Sequence, residues 1–264
     1  MLDDLQPIII KFPSSCRYIH IYAISDLHIG AKECNIKKFK LWLDMVINDP
    51  AGYVVICGDM INNGLKDSKT NVYEEVLRPR DQCDLLIKLL KPLADAGRIL
   101  GWIGGNHEYR SVRESDDDPA YNCARTLGVS DRYRQNFAGI KISLGTDPRK
   151  RTRQCTYVIG LIHGASRIKH MKFCNSLEGF DIVYSGHVHD PYLEIGTKLI
   201  FDTHNNAMYT KSHKRIVLPA FLEPGGYALR GEFLPQSYAD ISRTTLYGYR
   251  KAFDHTYLNL DGAL

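Results

Sequence analysis

The sequence predicts an α/β protein, a layered β-sandwich of two mixed sheets flanked by helices. Three observations predict it. The first half alternates β-rich runs with segments whose apolar residues recur at helical spacing, the pattern of βαβ units. After Pro191, strand-like runs follow one another between turn residues with few helical patterns, which reads as antiparallel strands completing a second sheet. Between these regions, short polar motifs rich in Gly, Asp and His close the apolar runs, as expected of functional loops at strand carboxyl ends.

In chain order, YIHIYAI (18–24) is β-rich and runs into SDLHIG. IKKFKLWLDMVI (36–47) spaces its apolar residues as a helix does and stops at the turn NDPAG. YVVIC (53–57) is short, apolar and β-branched, the signature of a buried strand. Leu85, Leu86, Leu89, Leu90 and Leu93 form a helical stripe over 82–96, where Pro92 predicts a kink or a fresh helical start. RILGWI (98–103) is the next strand and leads into GGNHEYR. A helix is expected over 119–127, then a hairpin, FAGIKISL and QCTYVIGLIH, joined by GTDPRKRTR. DIVY (181–184) precedes SGHVHD. The tail offers KLIFD, RIVLPAF, YALRGEFL and TTLYGYRKAF as strands. No repeat, low-complexity stretch or linker interrupts the chain, so one domain over 1–264 is expected, with its motifs between about 18 and 190 and strands 191–264 in the second sheet.

Composition is that of a soluble globular protein, with 44% hydrophobic and 24% charged residues. The formal charge of +4 permits a polyanionic substrate without demanding one. Seven cysteines without a CxxC pair read as reduced thiols, and the N-terminus lacks the pattern of a secretory signal. No apolar stretch is long enough to span a bilayer, so no membrane association and a cytoplasmic location are expected.

Five of the ten histidines fall in the polar motifs: Asp26-Leu27-His28, Gly58-Asp59, Gly105-Asn106-His107-Glu108, His163-Gly164 and Gly186-His187-Val188-His189. In an extended segment, residues i and i+2 point to one side, so Asp26 with His28, and His187 with His189, could each reach one metal. Imidazole, carboxylate and amide donors without thiolate favour borderline first-row divalent ions such as manganese, iron, zinc or nickel; two divalent ions, manganese first, are the expectation. One Asp can bridge two such ions at roughly 3.5–4 Å, the separation used for displacement at phosphorus. Singly, each motif has a plain reading: Asp-x-His arises by chance, Gly-Asp marks turns, Gly-Asn-His-Glu can cap a helix, and Gly-His-Val-His can end a strand. All five in this order, each after an apolar strand, is a different matter.

The order D-x-H, G-D, G-N-H-[DE], H, G-H-x-H resembles the calcineurin-like metallophosphoesterase superfamily. The resemblance implies that fold and a hydrolase acting on ester bonds. It implies Asp26, His28 and His189 as ligands of one metal, Asn106, His163 and His187 as ligands of a second, and Asp59 bridging both. His107 matches the histidine that contacts phosphate and can protonate the leaving oxygen, and the nucleophile would be a water or hydroxide held between the ions. Arg110 could add a fork to the phosphate.

Departures narrow the branch. Gly58-Asp59-Met60-Ile61-Asn62-Asn63-Gly64 has asparagines where protein Ser/Thr phosphatases carry Asp and Arg, and Asn62 where purple acid phosphatases carry a Tyr ligand. DLHIG and GNHE look closer to the DNA repair exonuclease and phage-type branches. Basic clusters at 149–153, 167–172 and 211–215, with Tyr227, Tyr238, Tyr247 and Tyr249 as stacking surfaces, could engage nucleic acid. The expectation is a phosphodiesterase for nucleic acid or a nucleotide. The alternatives are a small-metabolite phosphomonoesterase and a non-catalytic scaffold.

Overall fold

A computed structural model describes residues 3–66, 68, 72–150, 153–164, 166–225 and 241–260. Its strands are β1 (Ile8–Lys11), β2 (Tyr18–Ile24), β3 (Gly52–Cys57), β4 (Ile99–Ile103), β5 (Tyr133–Arg134), β6 (Phe137–Leu144), β7 (Cys155–Ile162), β8 (Ile182–Ser185), β9 (Tyr192–Asp202), β10 (Ala207–Val217), β11 (Ile241–Tyr247) and β12 (Phe253–Leu258). The helices are α1 (Ile36–Asn48), α2 (Pro79–Asp95), α3 (Glu108–Ser115), α4 (Pro119–Thr126) and α5 (Arg167–Ser176).

The strands form two mixed six-stranded sheets, ordered β1-β6-β7-β8-β10-β9 and β12-β11-β2-β3-β4-β5. Strand β3 shows how sequence builds the layers. Val55 and Cys57 face the core shared with Ile140, Tyr157 and Ile159 of the other sheet. Val54 and Ile56 face the helices, packing with Trp42 of α1 and Leu86 and Leu90 of α2. Alternation puts apolar residues on both faces because both faces are covered, which is why the run reads as continuously hydrophobic. Val183 of β8 and Cys174 of α5 form a smaller cluster, with Phe180 packed against it.

The expected helices and strands of the first half are present, with three differences. Helix α2 runs through Pro92 without a new start. A proline this close to a helix end removes a single hydrogen bond from the last turns, which the helix tolerates. Strand β1 is a further element, since Ile8–Lys11 is too short to show a period, and α3 directly follows Gly-Asn-His. The basic cluster 167–172 lies within α5.

The tail divides between the sheets, which corrects the expectation that strands 191–264 complete only the second. The β9–β10 hairpin joins the first sheet through β8, and β11–β12 joins the second through β2. Period-2 alternation tells which faces a strand buries but not which sheet edge receives it. YALRGEFL, Tyr227 and Tyr238 lie outside the described residues.

Strands β2, β3 and β4 are parallel neighbours in one sheet, and β7 and β8 in the other. Five loops therefore leave the carboxyl ends of these strands, after Ile24, Cys57, Ile103, Ile162 and Ser185, and they converge at one edge of the sandwich.

Candidate metal centre

Each converging loop delivers at least one candidate residue. Asp26 Oδ1 lies 2.9 Å from His189 Nε2, 3.7 Å from His28 Nε2 and 3.9 Å from His163 Nε2. Asp59 Oδ2 lies 3.0 Å from His163 Nε2, 3.8 Å from His107 Nε2 and 3.9 Å from His28 Nε2. Two carboxylate oxygens are thus each ringed by three imidazole nitrogens, with His28 and His163 common to both. Asn106 Oδ1 adds an oxygen 3.1 Å from His163 Nε2. The ligand atoms fall into three groups, Asp26-His28-His189, His28-Asp59-His107 and Asp59-His163-His187.

Backbone conformation aims these donors, and here the expectation of extended motifs is corrected. Asp26, His28, Asp59, His187 and His189 have φ of 55°, 50°, 52°, 73° and 59°, so five of the eight described non-glycine residues with positive φ are candidate ligands. Left-handed backbone costs an ordinary side chain on the order of 1–3 kcal/mol and persists where surrounding structure holds it, commonly at functional sites. As a result Asp26 and His28 share a group, as expected, whereas His187 and His189 go to different ones. Two glycines permit the crowding. A Cβ at Gly105 would stand 2.2 Å from Asp59 Oδ1, and one at Gly186 would stand 2.0 Å from Ser25 Oγ.

Hydrogen bonds fix several rings. His163 Nδ1 donates to Cys57 O at 2.7 Å, which leaves Nε2 unprotonated in the neutral tautomer and ready to coordinate. Burial opposes charge on His163, yet Asp59 and Asp26 override it and raise the imidazole to about 10. Asp26 is also fully buried, which by itself would raise its carboxyl, but His189 and His163 hold it well below the usual range.

The donor set fits divalent cations. His28 is only 4% exposed, and neither ring nitrogen has a hydrogen-bond partner among the described residues. Its Nε2 faces Asp26 and Asp59 at distances too long for hydrogen bonds, as ligands stand when they aim at a common ion. The three groups contain no thiolate, which suits a nitrogen- and oxygen-preferring first-row metal.

His107 and Arg110 stand together beside this centre. His107 Nδ1 donates to Asn62 O at 2.7 Å and its Nε2 accepts from Arg110 Nη2 at 2.9 Å, which makes the ring neutral and protonated on Nδ1. Burial agrees, lowering His107 to about 3. Arg110 also reaches Asn62 O through Nη1 at 3.1 Å. The two asparagines that separate this chain from protein phosphatases thus have duties of their own: Asn62 orients His107 through its carbonyl, and Asn63 Nδ2 bonds His107 O and Ser111 Oγ.

Sequence reasoning gave Glu108 no role. Its carboxylate is 2% exposed and accepts four backbone N–H groups: Asp59 and Gly105 on Oε2, and Met60 and Ile61 on Oε1. Its only sequence signal was its place in GNHE. Three of the donors come from a loop nearly fifty residues away, and the fourth, Gly105, from its own.

The basic and aromatic features divide by position. The turn carrying 149–153 precedes β7, so it lies at the opposite end of that strand from His163. Arg149 there pairs with Asp147, and residues 151–152 lie outside the described residues. Tyr247 pairs with Tyr18, the first residue of β2, so Tyr247 and Tyr249 lie at the far end of the sheet from Asp26. Arg215 is buried against Glu194 and Lys214 stands over the Phe253 ring, so 211–215 presents no continuous basic stripe. The α5 cluster begins four residues after His163 and keeps Lys169 and Lys172 exposed. No described helix is long and apolar enough to cross a membrane.

Comparison with known proteins agrees with this geometry. The family model for calcineurin-like phosphoesterases matches residues 19–191, and the chain belongs to that family. Similar solved structures include the calcineurin-like phosphoesterase YfkN of Bacillus subtilis, at 10% identity and TM-score 0.42, covering 94% of this chain and 92% of that one. A metallophosphoesterase of Sphaerobacter thermophilus shares 15% identity at TM-score 0.37, covering 92% and 91%. Vps29 of Entamoeba histolytica, complexed with zinc, shares 12% at TM-score 0.42, covering 92% and 100%. A search of curated proteins finds no match.

Proposed function

We propose that the chain is a phosphodiesterase that uses two divalent cations, manganese foremost, on a nucleotide or nucleic acid. The observation that carries this reading is the pair of carboxylate oxygens, Asp26 Oδ1 and Asp59 Oδ2, each ringed by three imidazole nitrogens. Asp26, His28 and His189 would hold one cation, and Asn106, His163 and His187 the other, with Asp59 between them. When bound, such a pair supplies a water of lowered pKa and positive charge for phosphoryl oxygens.

The chain's own groups account for the rest. Arg110 Nη2 now occupies the lone pair of His107 Nε2. An arriving phosphate oxygen would give Arg110 a charged partner and release that nitrogen. A nearby phosphate anion also favours protonation of the imidazole, whose Nε2–H would then pass its proton to the leaving oxygen while Asn62 O keeps the ring in place. Lys169 and Lys172, exposed on α5 near the His163 loop, support a substrate with further negative charge.

The test is a manganese-supplemented assay with single- and double-stranded DNA, RNA, bis-(p-nitrophenyl) phosphate and p-nitrophenyl phosphate, run beside Asp59→Ala and His107→Ala. Diester cleavage that disappears in Asp59→Ala supports the reading. Turnover of the monoester alone makes the protein a phosphomonoesterase, and no turnover with any divalent metal defeats the proposal.

A further inference from the structure

A cavity of about 320 Å³ opens beside the metal centre, with Asn106 and His163 among its lining residues. The cavity thus adjoins two of the candidate metal donors. This volume is at the small end of ligand sites, which run from roughly 300 to 1,000 Å³.

The walls have a definite chemistry. Tyr109 and Val112 of α3 and Tyr133 of β5 supply aromatic and aliphatic surface. Tyr109 is 49% exposed, a large ring left open to the cavity mouth. The amides of Gln135 and Asn136 supply hydrogen-bonding groups. Asn136 Nδ2 donates to Asp4 Oδ2 at 2.8 Å, which fixes the amide and leaves its oxygen and second N–H as hydrogen-bonding groups. The Tyr133 hydroxyl donates to Asp118 Oδ2 at 2.7 Å, which holds that wall rigid.

Charge decides what enters. Among the described residues lining the cavity there is no Lys or Arg, and its ionisable carboxylates are Asp118 and Glu108. A further phosphate, whether of a polyphosphate or of the next link in a polynucleotide, would find no Lys or Arg there and would meet the Asp118 carboxylate. A neutral planar group with a hydrogen-bonding edge meets a ring to stack on and amides to read it. Tyr247 and Tyr249 of the tail do not take this part, because they lie at the other end of the sheet.

We propose that this cavity binds the base of a nucleotide whose phosphate lies at the metal centre, with Tyr109 stacking on the base and Gln135 and Asn136 addressing its edge. The placement of the phosphate rests on the phosphoesterase reading above. The base pocket makes the substrate a nucleotide, or the terminal residue of a strand, rather than the interior of a polynucleotide.

The experiment is calorimetric binding of adenosine monophosphate, uridine monophosphate, ribose phosphate and inorganic phosphate to the manganese-supplemented full chain and to Tyr109→Ala, Tyr109→Phe and Gln135→Ala. At least one nucleotide is expected to bind about tenfold more tightly than ribose phosphate, the scale of one stacked base. Tyr109→Ala should erase that preference and Tyr109→Phe keep it, while inorganic phosphate binds alike to all. Equal binding of ribose phosphate and both nucleotides, absence of nucleotide binding, or a preference that survives Tyr109→Ala would overturn the proposal. The two readings fail separately. A Tyr109-dependent base preference without hydrolysis of any ester leaves the pocket standing and removes the phosphodiesterase, whereas diester hydrolysis without base preference does the reverse.

Discussion

The backbone N–H of Asp59 donates to Glu108 Oε2 at 3.0 Å, and the N–H of Gly105 donates to the same oxygen at 2.9 Å. One buried carboxylate oxygen thereby ties the loop that carries Asp59 to the loop that carries Asn106. The other, Oε1, accepts from Met60 and Ile61; burial and then Asp59 push this carboxyl up to about 7, and the four donors favour its ionised, acceptor-only form, which an amide does not match.

Glu108→Gln is therefore informative. Whichever way the amide is turned, its NH₂ faces two backbone N–H groups and leaves them unpaired, at about 1–3 kcal/mol for each buried donor. The variant is expected to bind manganese about 10–100-fold more weakly, the usual effect of losing a partner that orients metal ligands. Calorimetric metal titration checks this, and Glu108→Ala should weaken binding at least as much. Unchanged metal affinity in a folded Glu108→Gln would remove the orienting role.

Gly105→Ala asks for space that Asp59 occupies, since the new Cβ would stand 2.2 Å from Oδ1 and 2.4 Å from the Asp59 nitrogen. The loop must shift, and a displacement of about 1 Å in a catalytic constellation can cost about 100-fold in rate. Circular dichroism near wild type with diester turnover reduced at least to that degree is the expected result. Wild-type kinetics would show that the loop has slack.

For His107, the leaving group is the diagnostic. Removing a general acid costs typically 10²–10⁴-fold, and most where the departing oxygen is strongly basic. His107→Ala should therefore slow an alkyl phosphodiester far more than a nitrophenyl ester, whose leaving group needs little protonation. Equal losses on both would mean that the ring binds phosphate without delivering a proton.

A separate prediction concerns acid stability, away from the metal centre. Tyr184 donates to Thr244 Oγ1 at 2.6 Å, and the same oxygen lies 3.0 Å from His255 Nδ1, which ties the half-buried imidazole into the sheet. Burial, and then Lys214, lower His255 to about 4. Between its ordinary value near 6.5 and about 4, the unfolded chain binds a proton that the folded chain refuses, so stability falls as pH drops through that window. The loss is on the order of 3 kcal/mol. His255→Gln, which cannot titrate, should flatten the urea-unfolding midpoint between pH 6.5 and 4, and an unaltered slope would locate the acid sensitivity elsewhere.

How much of this was legible in the sequence follows from where the information lies. The donors were legible because each stands in a short motif after an apolar run, and strand ends are where α/β sheets place their sites. Asp26 and His189 can be named from such motifs although 163 residues separate them. Glu108 could be seen but not understood, because three of its four partners come from a loop that only the folded sheet brings to it. The left-handed backbone of His28 and His187 was hidden for a similar reason: neither is a glycine, and only the surrounding structure makes such a φ tolerable. The tail strands showed their alternation but not their destination, so the split between β9–β10 and β11–β12 had to be observed.

The two sheets hold unequal and complementary shares of the centre. Asp26, His28, Asp59 and Asn106 follow strands of one, whereas His163, His187 and His189 follow strands of the other. Neither share is a half-sized site, since each of the outer groupings of donors draws on both sheets. Cations bound there would rivet the sandwich, and their affinity would be drawn upon only after the sheets have docked. Metal should accordingly raise the unfolding temperature of the whole chain, while a fragment ending before residue 155 should bind it no better than an unfolded peptide.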